Sequence, residues 1–194
     1  MVAIRIGLFG GTFDPIHNAH VVAAAEARHA ARLDKVLLVV ANQPWQKTGT
    51  RPVTPAEVRY ELVAAGVADV DGLEASRIEI DRGGESFTVD TVEQLLDEQP
   101  SVEVHVIVGA DVHRQLDTWH RIDDLRQLAH FIVVNRGQGG LAEADDAALV
   151  EIPDLAISGT DIRRRVAEGR PVDGLVPPAA LRLIRMRGLY AGLG

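Results

Sequence analysis

Cysteine is absent from this 194-residue sequence, and its absence excludes several kinds of chemistry. Without a thiol the chain has no disulfide, no thiolate metal site and no cysteine nucleophile. A chain of this length can still bury a sizeable core without such cross-links. Hydrophobic residues make up 46% and charged residues 25% of the sequence, as in soluble globular proteins and unlike disordered or fibrous ones. We therefore expect a single globular domain spanning residues 1–194.

Basic side chains are also in short supply. The sequence has 20 Lys and Arg against 28 Asp and Glu, which gives a net charge of −8. Attraction to a phosphate backbone needs a basic surface, so we expect no nucleic-acid partner. Any anionic ligand has to meet a local positive site that works against the overall field.

Long apolar runs are missing as well. The longest, residues 36–41, is far shorter than the roughly 20 residues of a membrane-spanning helix. The first nine residues also lack the long apolar run of a signal peptide. These features predict a cytoplasmic protein with no membrane partner.

Short apolar runs alternate with helical patterns along the chain. Strands are predicted at residues 4–9, 36–40, 77–80, 104–108, 131–134 and 150–152. Helices are predicted at 18–32, 55–70, 88–99, 123–128, 161–168 and 178–186, and loops at 43–54, 137–140 and 142–148. A fully apolar strand is typical of a sheet covered on both faces. The alternation thus predicts an α/β fold, a Rossmann-like, doubly wound and mainly parallel sheet with a small helical C-terminal part.

A glycine-rich segment links the first predicted strand to the first helix. Gly10 and Gly11 permit a tight turn and a close approach of phosphate to the backbone, and the helix start offers unpaired N–H groups. His17 and His20 share one face of the first helical turn, where imidazoles can donate hydrogen bonds to phosphate oxygens. Unrelated surface histidines, or a metal pair without a third ligand, are the alternatives. The segment is neither a dinucleotide fingerprint nor a Walker loop.

A second candidate anion site lies near the C-terminus. Ser158, with Asp161 three residues later, has the spacing of a capping box at a helix start. The hydroxyl groups of Ser158 and Thr160 and the guanidinium of Arg163 would surround an anion there. The alternative is a capped surface helix whose arginines are solvated.

Both segments resemble motifs of one enzyme family. Residues 10–20 read GGTFDPIHNAH, which is similar to the hallmark of the His-x-Gly-His nucleotidyltransferases and most like that of bacterial nicotinate-mononucleotide adenylyltransferases. Residues 157–163 resemble the family's second motif. Two positions depart from it, since Ala19 replaces a glycine and Gly159 a serine. A helical backbone tolerates Ala19, whereas Gly159 lacks a hydroxyl that could add about 0.5–1.5 kcal/mol by hydrogen bonding, so ATP binding is expected to be weakened and not lost.

The resemblance implies an activity and a set of residues. The activity is adenylyl transfer in NAD biosynthesis, which joins ATP and nicotinate mononucleotide into nicotinate adenine dinucleotide and releases pyrophosphate. Mg²⁺ would arrive with ATP, without dedicated protein ligands. The implied catalytic residues are His17, His20, Lys47 and Arg163. The implied ATP contacts are Gly10, Gly11, Thr12, Phe13, His17, His20, Gly109, Asp111, Ile157, Ser158, Thr160 and Arg163.

The resemblance also implies an acceptor site. Its residues would be Asn42, Lys47, Thr88 and Trp119, with the flat ring of Trp119 against the pyridine ring. From the residues alone, Thr88 or Asp90 could instead cap the following helix, and Asp111 could cap the next one.

Several alternatives stay open at this point. The hallmark also serves phosphopantetheine and cytidylyl transfer, and the amide nucleotide could replace the acid as acceptor. A regulatory protein that binds ATP without turnover would be consistent with Ala19 and Gly159. The sequence leaves the oligomeric state open, including a homo-oligomer.

Overall fold

The sheet is doubly wound and entirely parallel. A computed structural model describes residues 3–44, 52–136 and 147–192. Its six strands are β1 (Ile4–Gly11), β2 (Lys35–Val40), β3 (Leu73–Ser76), β4 (Val102–Gly109), β5 (His130–Arg136) and β6 (Ala147–Ile152). They lie in the order β3-β2-β1-β4-β5-β6, and each neighbouring pair is parallel. The chain reverses its winding between β1 and β4, which is where such folds bind ligands. The predicted fold class is confirmed.

Helices cover both faces of the sheet. They are α1 (Asn18–Ala30), α2 (Ala56–Val67), α3 (Ile78–Arg82), α4 (Thr88–Glu98), α5 (Ala110–His113), α6 (Ile122–Leu128), α7 (Gly159–Ala167) and α8 (Pro178–Met186). Buried side chains of α1, α2, α7 and α8, such as Ala24 and Ile162, form one core cluster. Side chains of α4 and α6, such as Val92 and Leu125, form the other. The predicted helical C-terminal part is present, and it shares the first core because α8 packs against α2. No helix within the described ranges is both long and apolar enough to cross a membrane.

Two local predictions are wrong. Residues 77–80 were expected to form a strand, but β3 ends at Ser76 and α3 begins at Ile78. Alternation over four residues also fits a single helical turn, so the pattern does not separate the two structures. Ala147 and Ala148 were expected in the loop at 142–148, but they belong to β6, where they pair with Phe131 and Ile132 of β5. The rest of that predicted loop lies outside the described residues.

Candidate active site

A pocket opens at the carboxyl ends of β1 and β4, at the point where the winding reverses. The end of β1 contributes Gly10, Gly11 and Thr12 to its wall, and the end of β4 contributes Gly109. Four strand-terminal positions that the sequence associates with nucleotide binding therefore meet at one cavity. Open α/β sheets bind their ligands at this position.

The two histidines of the first motif lie together at the start of α1. His17 is the N-cap residue and His20 lies in the first turn. Their rings stack, with centroids 3.6 Å apart and planes 16° from parallel. The backbone N–H of His17 donates to Nδ1 of His20 at 3.3 Å. Because Nδ1 accepts, the proton of a neutral His20 ring belongs on Nε2, which makes Nε2 a donor suited to a phosphate oxygen.

The glycines of this motif act differently from the prediction. Gly10 and Gly11 are the last residues of β1 and neither has a positive φ, so the turn expected there is absent. The turn follows them, and Phe13 has a φ of 48°. A Cβ at position 11 would lie 2.8 Å from the Phe13 ring, whereas a Cβ at position 10 would meet open space. Gly11 thus makes room for the Phe13 ring, whereas at Gly10 the backbone faces the pocket without a side chain.

Phe13 packs against one of the two histidines, and Ala19 lies buried between them in the sequence. The buried Phe13 ring packs edge-on against His20, with centroids 4.9 Å apart. Phe13 does not line the pocket, so its part is structural. Ala19 is buried in the first turn of α1, which confirms that the replacement of the family glycine falls on a helical position.

The second motif begins α7, and only half of its predicted capping box forms. Ser158 is the N-cap residue, and its Oγ accepts a hydrogen bond from the backbone N–H of Asp161 at 3.1 Å. The Asp161 carboxylate instead accepts hydrogen bonds from Arg165 and Arg164, which hold the pKa of Asp161 below its ordinary value. Ile157, just before the cap, packs partly buried against the first core cluster.

The fold brings the two motifs into direct contact. Nη1 of Arg163 donates to the backbone carbonyl of Asp14 at 2.6 Å, across 149 positions of sequence, and Nη2 donates to Oγ1 of Thr160 at 3.1 Å. A Cβ at Gly159 would lie 3.0 Å from the same Asp14 carbonyl oxygen. The missing side chain therefore lets the start of α7 approach the first motif closely.

Aromatic and polar groups form the other wall of the pocket. Thr88 and Trp119 both line it, as do Phe87 and His120, whose rings lie 4.4 Å apart. Nε1 of Trp119 is buried and has no hydrogen-bond partner among the described residues. A buried indole N–H usually has a partner, so this one suits an oxygen acceptor on a bound ligand.

The alternative roles of Thr88, Asp90 and Asp111 as helix caps are absent from the structure. The N-cap of α4 is Phe87 and no side chain caps this helix, so neither Thr88 nor Asp90 has that role. Without a side-chain cap, the N–H groups of the first turn stay available beside the pocket. The N-cap of α5 is Gly109, and the exposed Asp111 pairs with Arg114 at 2.8 Å. Asp111 does not line the pocket.

Asn42 lies next to the pocket and joins two loops. Its backbone N–H donates to Oγ of Ser86 at 2.8 Å, and its side chain donates to the carbonyl of Gly84 at 2.9 Å. The predicted acceptor contact of Asn42 thus competes with a bond that holds the loop before α4. Lys47, which was predicted to contact both phosphates and acceptor, lies outside the described residues.

Arg59 is a buried charge that the sequence reasoning missed. It is 1% exposed and lies in α2. Its guanidinium donates to the carbonyls of Thr12, Ala41 and Thr54, each at 2.7 Å. These bonds tie the first motif to the segments that follow β2 and precede α2. In the sequence Arg59 is one of many charged helix residues, so no pattern distinguishes it.

Glu79 is a second missed residue, and it lines the pocket. This carboxyl group of α3 is 6% exposed and accepts a hydrogen bond from Thr91 at 2.9 Å. Burial raises the pKa of Glu79, while hydrogen bonds from Ser86 and Thr91 oppose the shift. Ser86 therefore joins Glu79 to the backbone of Asn42. The prediction of a strand at 77–80 gave no reason to expect this contact.

Comparison with known proteins assigns this chain to a family. Residues 8–165 match the cytidylyltransferase-like family model. A probable nicotinate-nucleotide adenylyltransferase of Saccharopolyspora erythraea is 45% identical, over 97% of this chain and 90% of that protein. A probable nicotinate-nucleotide adenylyltransferase of Streptomyces coelicolor is 46% identical, over 94% of this chain and 99% of that protein. The chain belongs to the cytidylyltransferase-like family.

A solved structure supports the family fold. The nicotinic acid mononucleotide adenylyltransferase of Plasmodium falciparum, complexed with NaAD, superposes with a TM-score of 0.80. It is 18% identical, and the match covers 96% of this chain and 97% of that one. At this identity the likeness concerns the fold, and it confirms the Rossmann-like architecture of the family member described above.

Cytidylyltransferase-like enzymes use a divalent metal together with a nucleoside triphosphate. Within the described part of the chain, no group of three His, Cys, Asp or Glu side chains could hold a metal ion. The alternative in which His17 and His20 form a metal site therefore gains no third ligand from these residues.

Proposed function

We propose that this chain transfers the adenylyl group of ATP to nicotinate mononucleotide, releasing pyrophosphate and forming nicotinate adenine dinucleotide. The observation that carries the proposal is the contact of Arg163 with the Asp14 carbonyl, which joins the two phosphate motifs. Gly10, Gly11 and Thr12 of the first motif line the same pocket as Thr88 and Trp119. The triphosphate and the acceptor would then meet at one place. The names of the relatives support the same substrates.

The chemistry needs positioning and charge stabilisation. An oxygen of the acceptor's 5′-phosphate attacks the α-phosphorus of ATP, the bond from this phosphorus to the bridging oxygen breaks, and pyrophosphate leaves. The attacking phosphate is already ionised near neutral pH, so no protein nucleophile is required. His17, His20 and Arg163 would bind the phosphates and stabilise charge that develops on the leaving group, with Lys47 as a further cation.

We further propose Mg²⁺ as the divalent metal. It would be held mainly by the phosphates of ATP, whose charge it neutralises. The side chains around the two motifs are imidazoles, hydroxyls and a guanidinium, which suit phosphate oxygens better than a metal ion.

The acceptor pocket suits the pyridine ring and its carboxylate. The Trp119 ring offers a flat wall, while its buried Nε1–H and the uncapped first turn of α4 offer donors to a carboxylate oxygen. The carboxamide group of the amide nucleotide can accept a hydrogen bond through its oxygen, but it carries no negative charge. We expect it to bind less well than the carboxylate at a helix N-terminus. We thus propose a preference for the acid nucleotide.

Pyrophosphate release tests the proposed function. The protein would be assayed with ATP and Mg²⁺ and equal concentrations of nicotinate mononucleotide, its amide counterpart or phosphopantetheine. We expect release to be fastest with the acid nucleotide. Faster release with the amide would overturn the acid preference, and release with phosphopantetheine alone would overturn the acceptor assignment.

The regulatory alternative now lacks a specific observation in its favour. It rested on two departures from the family pattern, and Ala19 occupies an ordinary helical position. Gly159 allows the close contact between α7 and Asp14. We also propose that residues 1–194 act as one domain and that the protein is cytoplasmic.

A further inference from the structure

Tyr190, near the C-terminus, reaches into the first phosphate motif. Its hydroxyl donates to Oδ1 of Asp14 at 2.8 Å, across 176 positions of sequence. Both residues are 6% exposed. The chain turns back after α8 through Gly188, whose φ is 60°, and this turn directs the Tyr190 side chain into the core.

Asp14 is thereby held from two directions. Its carboxylate accepts the bond from Tyr190, and its backbone carbonyl accepts the bond from Arg163. Asp14 also lies three positions before His17, within the turn that leads into α1. A movement of Asp14 would therefore displace the partner of Arg163 and the chain that presents the histidines.

The backbone at both ends of this contact is conformationally demanding. Four non-glycine residues of the described chain have a positive φ, and two of them are Phe13, next to Asp14, and Tyr190 itself, at 48° and 66°. Non-glycine residues adopt this region only where the surroundings hold them there, and such residues cluster at functional sites.

We propose that Tyr190 is a positioning residue for the triphosphate of ATP, acting through Asp14 on Arg163 and on the segment that carries His17. The inference rests on the proposed function in taking ATP as the nucleotide. It assigns a function to a residue that neither phosphate motif contains. Tyr190 touches no substrate in this proposal, because its hydroxyl is directed at Asp14.

The ionisation of the phenol agrees with this role. Burial raises the pKa of Tyr190 above its ordinary value, and the nearby Asp14 carboxylate raises it further, while a hydrogen bond with Thr54 and the charge of Arg163 oppose the shift. The hydroxyl therefore stays protonated throughout the neutral range and remains a donor to Asp14.

The variant Tyr190→Phe tests the proposal, because it keeps the ring in the core and removes only the hydroxyl. Tyr60→Phe is the matched control, since Tyr60 is the only other tyrosine in the sequence and lies on α2 beneath the Arg77 guanidinium. The dissociation constant of ATP with Mg²⁺ would be measured by calorimetry without acceptor. We expect Tyr190→Phe to raise it about three- to tenfold, as for one lost hydrogen bond, and Tyr60→Phe to leave it unchanged.

Steady-state kinetics then separate positioning from general loosening. We expect Tyr190→Phe to raise KM for ATP. KM for the acceptor should stay within about twofold of the wild-type value, since a substitution usually has little effect on a distant, independent site. A parallel rise of both KM values would overturn the proposal. So would a lowered melting temperature with an unchanged ATP dissociation constant, because that result describes a merely structural tyrosine.

A double-variant cycle checks the route through Asp14. In an Asp14→Ala background, Tyr190→Phe should cause no further loss of ATP affinity, because the acceptor of its hydrogen bond is gone. Additive losses would contradict the route. If Tyr190→Phe weakens ATP binding while no acceptor gives pyrophosphate release, the proposed function fails and the positioning role stands. If the wild-type protein does not bind ATP, both fail.

Discussion

His20 uses its two ring nitrogens for two purposes. Nδ1 accepts the backbone N–H of His17 and closes the first turn of α1, which leaves Nε2 as the nitrogen that carries the proton. A His20→Ala variant would therefore remove the proposed phosphate ligand and a helix-stabilising bond together, and its effect could not be assigned to either.

His20→Asn separates the two roles of this ring. The Asn side-chain oxygen can take the place of Nδ1, while nothing replaces Nε2. We expect kcat to fall about tenfold or more, with the melting temperature close to that of the wild-type protein. Pyrophosphate-release kinetics and thermal melts of His20→Asn and His20→Ala would be compared. Wild-type kcat in His20→Asn would contradict a catalytic role for Nε2.

Glu79 lines the pocket together with Thr88 and Trp119. Its carboxyl accepts from Thr91 and Ser86, and Ser86 in turn accepts the backbone N–H of Asn42. Glu79→Gln places an amide N–H₂ where Ser86 needs an acceptor, so the link between the two loops should loosen. We expect KM for the acceptor to rise about three- to tenfold, as for one lost hydrogen bond, with the ATP dissociation constant unchanged.

Glu98→Gln is the matched control for Glu79→Gln. Glu98 is exposed at the end of α4 and accepts only a side-chain bond from Gln94 among the bonds described for it. Its kinetics should equal those of the wild-type protein. An unchanged acceptor KM in Glu79→Gln would show that Ser86 and its loop do not depend on the carboxyl group.

At the scale of elements, the contact between the start of α7 and the turn after β1 decides how the two motifs meet. The sequence alone predicts that a serine at position 159 would restore a family hydroxyl and tighten ATP binding. The structure predicts the opposite, because a Cβ there would lie 3.0 Å from the Asp14 carbonyl oxygen and 3.3 Å from Nη1 of Arg163.

Gly159→Ser and Gly159→Ala together test this contact. Asp14 is held by Tyr190 and Arg163, so it cannot easily yield to a new side chain. We expect both variants to raise the ATP dissociation constant about threefold or more, since overpacking a tight contact typically costs about 1–3 kcal/mol. Calorimetric titration measures it. Tighter binding by the serine variant would mean that the added hydroxyl outweighs the crowding.

Local sequence patterns predicted some helices and strands correctly and others wrongly. The six predicted helices are all present, because end signals such as Pro55 before α2, Pro100 after α4 and Gly188 after α8 lie beside each segment. Residues 77–80 were misassigned because four alternating residues fit two structures. The side-chain caps that were left open as alternatives for α4 and α5 do not form, because the first residues of a helix depend on how the preceding loop leaves the sheet.

At the scale of the whole molecule, the two ends of the sheet differ in character. The carboxyl ends carry the pocket, whereas the amino ends of β1, β4 and β5 carry a polar cluster of Arg5, Glu103, His105 and His130. His105 is 5% exposed, and its Nε2 lies 2.8 Å from the Glu103 carboxylate. Burial lowers the pKa of His105, and the charge of Arg5 lowers it further.

This cluster predicts a pH dependence of stability. Because the pKa of His105 is lower in the folded than in the unfolded chain, the unfolded state binds more protons as the pH falls. Stability from this site is therefore present above the ordinary histidine pKa of about 6.5 and is lost as the pH falls through it. We expect the free energy of unfolding to decrease from pH 7.5 to 5.5.

His105→Gln should make this decrease shallower, because it removes the titrating ring and keeps a polar side chain near Glu103. Urea unfolding at three pH values measures the slope, with His29→Gln as a control at an exposed position of α1. Equal slopes in wild type and His105→Gln would assign the pH dependence to other groups.

The sequence by itself determined the parallel α/β fold, and it predicted the two phosphate motifs and the aromatic acceptor residue. These properties depend on local chemistry, since strand and helix periodicity and the anion affinity of a helix start are encoded by neighbouring residues such as His17 and Ser158. Tertiary structure alone decided the contacts of Arg59, Glu79 and Tyr190. Each of these residues acts on a partner far along the chain or in a different element, and no spacing in the sequence records which distant backbone a side chain will meet.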